Sequence, residues 1–166
     1  WWHGDGEGKT MGLAPYGDPS KMAGLLDEYC PRFEHGKLLK GRDFGRLTHL
    51  EVAGGRHHSL PDSAPIAEFL NTHSREDLAA VAQAMLEREA CNFILPRLEQ
   101  EGTRNLSCAG GIFLNVKLNQ VLWESGKTDK FHIYPDSGDA GVSVGSGLHS
   151  HHKRFTDAPL SGLNTA

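Results

Sequence analysis

The sequence predicts an α/β fold in which a parallel β-α-β-α unit follows a hairpin and a long helix. Two short runs, 105–108 and 130–134, have the pattern of buried strands, and each is followed by a glycine-centred turn and then by a helical pattern. Strands that alternate with helices in this way run parallel, and their carboxyl ends meet at one edge of the sheet. Because a helix start presents unpaired N–H groups, this edge is typical of phosphate and nucleotide binding.

The elements before this unit are predicted from apolar periodicity and from residues that begin or end helices. Ser74 and Asp77 form a capping box that opens the longest helix. Pro96 is expected to kink or end that helix, and Gly102 closes it. Its buried stripe comprises Leu78, Val81, Ala82, Met85 and Leu86. The other predicted elements are a loop with one helical turn over 1–17, a helix over 18–31, a hairpin or meander over 32–62, and helices over 63–71, 111–125 and 139–153.

Composition and charge exclude several classes of function. The chain has 166 residues and a formal net charge of -4, without a basic stripe, which argues against nucleic acid as a partner. No apolar run approaches the roughly 18 residues needed to span a bilayer, and no leader sequence is visible. Cys30, Cys91 and Cys108 are too widely spaced for a zinc pattern, which indicates buried thiols in a reducing compartment. We therefore expect a cytoplasmic protein.

The turn after the first strand contains Gly110 and Gly111, which let the backbone turn tightly and approach a ligand with no Cβ in the way. Asn115, expected one turn into the next helix, is placed to hydrogen-bond a base or a ribose. The alternative is that the glycines only permit close packing between strand and helix.

The turn after the second strand places Asp139 at a helix start, beside Gly138 and Gly141. Two interpretations are open: a carboxylate that faces a metal ion or phosphate, and a simple helix cap favoured by the helix dipole. The small residues at 140–147 predict that the following helix packs closely against another backbone, since glycine costs about 1 kcal/mol at each helical position.

A third motif lies near the N-terminus, over 6–17. Its Gly8-Lys9-Thr10 run is not a phosphate-binding P-loop, because the spacing to Gly4 is one residue too short and no apolar strand precedes it. The histidines form no i, i+4 pair of the kind that binds metal on a helix.

Together the three motifs resemble those of the O-carbamoyltransferases of the nodulation and antibiotic-tailoring type. The N-terminal domain of that family is actin-like and is similar to the domain of the tRNA threonylcarbamoyltransferases. The matching residues are Glu7, Lys9 and Met11 to Gly17 in the first motif, Leu106, Ala109, Gly110, Gly111, Ile112, Leu114 and Asn115 in the second, and Pro135, Gly138, Asp139 and Gly141 in the third.

The resemblance implies one lobe of an actin-like ATPase fold and an ATP-dependent activity. Family members make a carbamoyl-adenylate from carbamoyl phosphate and ATP, then move the carbamoyl group to the hydroxyl of a small-molecule acceptor. By the same resemblance Asp139 is a ligand of a divalent metal, usually iron. Gly110, Gly111 and Asn115 hold the adenosine half of the nucleotide, and Glu7 and Lys9 line the same cleft. No catalytic residue is assigned.

The chain also departs from the family pattern, because the His-x-x-x-His metal pair and the first actin-like lobe are absent. We therefore expect residues 1–166 to be a partial N-terminal domain with a flexible tail at 157–166, inactive by itself. The face left by the absent lobe suggests a homodimer as a hypothesis. Two other functions stay open: a tRNA threonylcarbamoyltransferase-like protein, disfavoured by the motif at 11–16 and the lack of a basic face, and a non-catalytic actin-like binding module.

Overall fold

The structure is a computed structural model that describes residues 6–22, 32–39, 48–52, 55–59 and 72–155. Its α-helices are α1 (Glu7–Leu13), α2 (Arg75–Gln100), α3 (Val116–Glu124) and α4 (Gly141–Arg154). Its strands are β1 (Arg32–Glu34), β2 (Lys37–Leu39), β3 (Thr48–Val52), β4 (Gly55–Ser59), β5 (Asn105–Cys108) and β6 (Lys130–Ile133). Short 3-10 turns span Ala14–Tyr16, Pro19–Met22 and Gly111–Leu114. The predicted helix over 63–71, most of that over 18–31, and the tail over 157–166 lie outside the described residues.

The strand pairing confirms the predicted mixture of hairpins and parallel strands. The strands β1 and β2 pair antiparallel, and so do β3 and β4. The strands β5 and β6 pair parallel, with Asn105 opposite Lys130 and Cys108 opposite Ile133. The chain crosses from β5 to β6 through α3, and α4 follows β6. This is the predicted β-α-β-α order, and it brings the ends of both strands to one edge.

Both ends of α2 are closed as the sequence predicts. The side chain of Ser74 accepts a hydrogen bond from the Asp77 N–H at 3.1 Å, which satisfies one of the unpaired donors of the first turn. At the other end Gly102 has φ +61°. The N–H of Thr103 donates to Leu98 O at 3.0 Å, which is the bond expected when a left-handed glycine ends a helix.

Of the two expectations for Pro96, that it ends this helix is wrong, because α2 continues to Gln100, and that it kinks the helix stays a prediction. A proline removes the N–H that would otherwise bond the carbonyl four residues earlier, here Asn92 O. That carbonyl instead accepts the backbone N–H of Gly36 at 3.0 Å. Gly36 lies in the tight turn between β1 and β2, where His35 and Gly36 both have positive φ. The hairpin therefore docks on the acceptor that the proline leaves free.

The helix α2 is contacted on more than the single stripe predicted from the sequence. Its three most buried polar side chains, Asp77, Gln83 and Glu89, are spaced six residues apart. At about 100° per residue this spacing directs them to three faces about 120° apart. Asp77 accepts the Asp18 N–H at 2.9 Å, and Glu89 accepts the Phe33 N–H at 2.6 Å. Polar side chains thus join α2 to segments far away in sequence.

The apolar core lies between α2, α3 and the parallel sheet. Leu118 and Leu122 of α3 are fully buried. They form a cluster with Ala90, packed against Leu86, Cys91, Ile94, Leu95, Phe113 and Phe131. Burial of a leucine side chain contributes about 1.5–3 kcal/mol, so α3 is held mainly by these two residues.

Two helices differ from the sequence-based expectation. The N-terminal motif, predicted as a loop with one helical turn, forms α1 and a 3-10 turn that pack against α2. The helix α4 has no buried residue, and an added Cβ at Gly145 or Gly147 would meet no atom of the described residues within 4 Å. The close backbone packing predicted for α4 is therefore found at Gly141, where an added Cβ would collide with the Asp136 carbonyl, and is not found at Gly145 or Gly147 among the described residues. Within the same ranges, no helix combines the length and apolar character needed to cross a bilayer.

Candidate functional site

A cavity of about 660 Å³ lies where the turns after β5 and β6 meet α1 and α2. Glu7 comes from the first sequence motif, Gly111 and Asn115 from the second, and Gly138 and Asp139 from the third. The remaining lining residues are Gly8, Met11, Leu86, Ile112 and Leu114. Three motifs that are far apart in sequence thus meet at the carboxyl ends of two parallel strands, which is the edge where α/β folds bind ligands.

The turn after β5 depends on glycine at one position. Gly110 has φ +104°, a conformation that side chains with a Cβ rarely adopt. A 3-10 turn over Gly111–Leu114 follows, so α3 begins only at Val116. Asn115 therefore caps the helix and does not lie one turn inside it, as the sequence had suggested. Its side-chain oxygen accepts the Leu118 N–H at 3.0 Å.

The turn after β6 also depends on glycine, through a close approach. A Cβ at Gly141 would collide with the Asp136 carbonyl. A Cβ at Gly138 would lie 3.5 Å from Leu114 Cδ1, so the two strand-end turns contact each other. Ser137, in the same turn, is buried. These contacts fix the position of Asp139 relative to the first turn.

The carboxylate of Asp139 is exposed and makes no hydrogen bond or ion pair with the described residues. The N-cap of α4 is Ala140, and no side chain caps that helix. The alternative interpretation of Asp139 as a simple helix cap is therefore not found in the structure. Among the residues that the structure describes, Glu7 and Asp139 are the charged ones that line the cavity, and no lysine, arginine or histidine does. The cavity is consequently acidic at its polar end and apolar along Met11, Leu86 and Ile112.

A second, more open cavity of about 470 Å³ adjoins the first. The two share Glu7, Met11, Leu86 and Asn115. The second cavity is also lined by Gln83, which forms two hydrogen bonds with Asn115. Gln83 Nε2 donates to Asn115 Oδ1 at 3.0 Å. Asn115 Nδ2 donates to Gln83 Oε1 at 2.9 Å. Asn115 thus lies where the two cavities meet the start of α3.

The segment after α1 is anchored to α2 beside the cavity. A Cβ at Gly17 would collide with the Glu76 carbonyl, so the 3-10 turn lies directly on the start of α2. The Asp18 backbone N–H and then the Lys21 ammonium hold the pKa of Asp77 well below its usual range. The ammonium lies 3.1 Å from Asp77 Oδ2. This carboxylate fixes the end of the first motif and so positions α1 along the cavity.

The predicted site residues are only partly brought together. Glu7, Gly111, Asn115 and Asp139 line the first cavity, and Gly110 precedes Gly111 without lining it. Lys9 is exposed on α1 and lines neither cavity. The ligand roles of all six stay predictions.

Sequence reasoning missed the apolar wall and Gln83. Met11, Ile112 and Leu114 belong to the quoted motifs but carry no polar group, so their type gave no functional signal. Gln83 had a usable signal, because it is the one polar residue in the run from Leu78 to Leu86.

The described residues do not form a metal site by themselves. Across the described ranges, no three His, Cys, Asp or Glu side chains are grouped so that they could hold a metal ion. Asp139 supplies one carboxylate, whereas divalent ions require several ligands. Cys108, the last residue of β5, is buried, and burial raises the pKa of its thiol to about 11, which disfavours the thiolate that a nucleophile requires.

Comparison with known families identifies this arrangement. The family model of the carbamoyltransferase N-terminus matches residues 3–148, which include all three motifs. The chain belongs to this family. The expected resemblance to carbamoyltransferases is therefore confirmed.

Individual relatives agree with the family match. The nodulation protein NolNO of Sinorhizobium fredii is 31% identical over 157 residues, which cover 95% of this chain and 22% of that protein. The nodulation protein NolO of Bradyrhizobium diazoefficiens is 29% identical over 165 residues, covering 95% of this chain and 27% of that protein. Nodulation protein U of Rhizobium tropici is 33% identical over 87 residues, or 52% of this chain and 14% of that protein. The chain thus spans about a quarter of the length of the first two relatives.

Proposed function

We propose that this chain is the nucleotide-binding lobe of an ATP-dependent carbamoyltransferase. In the full-length protein it would act on a carbamoyl-adenylate, made from carbamoyl phosphate and ATP, and pass the carbamoyl group to a hydroxyl of a small-molecule acceptor in the cytoplasm. The single observation that carries this proposal is the cavity in which Glu7, Gly111, Asn115 and Asp139 meet. Membership of the carbamoyltransferase N-terminus family supports the group that is transferred.

The architecture supports an actin-like lobe as part of the same proposal. Parallel β5 and β6 with α3 and α4 present two helix starts to one edge. A nucleotide at that edge would receive backbone N–H groups from the turn at Gly110 and Gly111. The apolar wall formed by Met11, Leu86 and Ile112 would then face the flat adenine ring.

The charge of the cavity supports a cation requirement. Polyphosphate carries negative charge, and the two carboxylates of Glu7 and Asp139 would repel it, because none of the described residues that line the cavity is basic. A divalent cation between Asp139 and the phosphates would remove that repulsion. Since no three metal-ligating side chains are grouped among the described residues, the ion would need further ligands, which the resemblance assigns to a histidine pair.

Calorimetric titration of ATP into the full-length protein, with and without Fe²⁺ under anaerobic conditions, tests the proposal. We expect Asp139→Asn to weaken ATP binding in the presence of the metal by about tenfold or more, because one charged ligand is lost. Asp136→Asn is the matched control, since it makes the same change in the same turn at a residue that does not line the cavity.

The outcomes separate the parts of the proposal. Equal binding by the Asp139→Asn and Asp136→Asn variants would remove Asp139 from the metal and phosphate site. Absence of ATP binding by the wild type would instead reject the nucleotide-binding function and favour a non-catalytic binding module.

A further inference from the structure

The side chains of Glu87, Gln83 and Asn115 form a hydrogen-bond network that reaches both cavities. On α2, Gln83 Nε2 donates to Glu87 Oε1 at 2.8 Å and to Asn115 Oδ1 at 3.0 Å. In return, Asn115 Nδ2 donates to Gln83 Oε1 at 2.9 Å. Gln83 is 8% exposed, so water does not replace these bonds easily. This network runs from Glu87 through Gln83 to Asn115, which lines both cavities.

The orientation of both amide groups is fixed from two independent ends. At one end the Leu118 N–H can only donate, so the atom of Asn115 that faces it must be the oxygen. At the other end the ionised carboxylate of Glu87 can only accept, so the atom of Gln83 that faces it must be the nitrogen. Both constraints give the same arrangement. A flip of either amide would place two acceptors or two donors against each other.

This arrangement leaves Asn115 with one unused polar group. Its oxygen already accepts two hydrogen bonds, from Leu118 N–H and from Gln83 Nε2. Its nitrogen donates one proton to Gln83, and the second N–H has no partner among the described residues. Because Asn115 lines both cavities, the group available to a ligand there is a donor.

We propose that Gln83 is a positioning residue that holds Asn115 as a hydrogen-bond donor toward the ligand. The site would then select an acceptor atom at this point, such as a ring nitrogen, a ribose oxygen or a phosphate oxygen, and would disfavour an exocyclic amine. This inference rests on the proposed nucleotide-binding function. It gives a reason for a glutamine at a buried position between Val81 and Met85, where an apolar side chain would pack without needing partners.

The test is ATP binding by the full-length protein and by two variants at this position. Gln83→Met keeps the length of the side chain but makes no hydrogen bonds, so the Asn115 amide is free to turn. Gln83→Glu keeps the shape but replaces the donor by a carboxylate oxygen that faces Glu87 Oε1 and Asn115 Oδ1. Gln120→Glu is the matched control, because Gln120 Nε2 donates to Glu124 Oε1 at 2.8 Å in the same i, i+4 arrangement on an exposed face.

We expect Gln83→Met to weaken ATP binding about five- to tenfold at every pH, the factor typical of one lost hydrogen bond. For Gln83→Glu we expect a similar or larger loss at pH 8 that shrinks as the pH falls toward 6, measured as a ratio to wild type at each pH. The introduced carboxyl would face Glu87 on α2 and Glu7 on α1 across the second cavity. These negative charges and the burial raise its pKa, and protonation restores one donor. The control should bind ATP as the wild type does.

Two results would overturn the inference while leaving the proposed function intact. The first is ATP binding by both Gln83 variants as tight as that of Gln120→Glu. The second is a Gln83→Glu defect that does not change with pH and is accompanied by a lower unfolding temperature, which would assign Gln83 a purely structural role. Absence of ATP binding by the wild type would reject the proposed function and this inference together.

Discussion

The two strand–turn–helix units of this chain share one sequence pattern but differ in how much of each is committed to packing. After β5, the helix α3 buries Leu118 and Leu122 completely. The side-chain oxygen of Asn115 accepts two hydrogen bonds, one from the Leu118 N–H at the helix start and one from Gln83. After β6, the helix α4 buries no residue, and the Asp139 carboxylate makes no hydrogen bond or ion pair with the described residues. The pattern of strand, glycine and helix therefore predicts the path of the backbone. The side chains of the helix decide whether the unit stabilises the fold, and the hydrogen bonds of the polar residue at the helix start decide whether that residue is available to a ligand.

The largest expected effect tests whether α3 is packed more tightly than α4. Leu118→Ala removes a fully buried side chain from the core cluster, and we expect it to lower the stability of α3 by about 2–5 kcal/mol. Val142→Ala on α4 should change local stability by less than about 0.5 kcal/mol, because that side chain is 66% exposed. Hydrogen exchange of peptides over 105–125 and 139–155 in the full-length protein measures both. Equal effects would show that α4 is packed as tightly as α3.

A smaller effect is expected from the aspartate at the start of α2, which contrasts with Asp139. The pKa of Asp77 is held below its usual value by the Asp18 N–H and Lys21. A lowered folded-state pKa stabilises the protein above the unfolded-state value of about 4 and loses that contribution as the pH falls below it. We therefore expect Asp77→Asn to lower the urea midpoint most above pH 5, with the difference from wild type shrinking below pH 4.

The control for this experiment is Asp139→Asn at neutral pH. The Asp139 carboxylate has no hydrogen-bond or ion-pair partner among the described residues, so the substitution should leave the urea midpoint unchanged while it weakens ligand binding. A pH-independent difference between Asp77→Asn and wild type would contradict the assigned cause of the Asp77 stabilisation.

Local signals in the sequence predicted much of the fold. Ser74 and Gly102 mark the ends of α2 because each satisfies helix-end groups within a few residues. The parallel pairing of β5 and β6 follows from the alternation of strands and helices. Hydrogen bonds between residues far apart in the sequence were not predictable in the same way. Pro96 is tolerated because Gly36, far away in the chain, donates to the Asn92 carbonyl.

The candidate site was predictable to the extent that its residues lie in strand-end turns. Glycine at 111 and a carboxylate at 139 are local features, and the parallel sheet brings them to one cavity. The helical state of α1 was missed because Gly8 and Gly12 have low helix propensity, while the packing of α1 against α2 is a tertiary effect. Gln83 was missed because its partner Asn115 lies on another element.

The smallest expected effect tests whether another segment packs against the exposed face of α4. Gly145 lies inside α4, and an added Cβ would meet no described atom within 4 Å. Since glycine inside a helix is less favourable than alanine by about 0.5–1 kcal/mol, we expect Gly145→Ala to stabilise α4 by about that amount. Gly102→Ala is the control, because the space around Gly102 is equally open but its φ is +61°. There the same change should destabilise the end of α2 by about 1 kcal/mol.

Hydrogen exchange of peptides over 141–154 in the full-length protein measures the sign of the Gly145→Ala effect. Stabilisation would mean that no other segment packs closely against α4 at Gly145. Destabilisation would mean that another segment lies against this face at a distance that excludes a methyl group, as the small residues at 140–147 predict from the sequence. In that case the difference between the two strand–turn–helix units would lie in where their partners come from, because α3 packs against α2 and α4 would pack against a segment beyond the described residues.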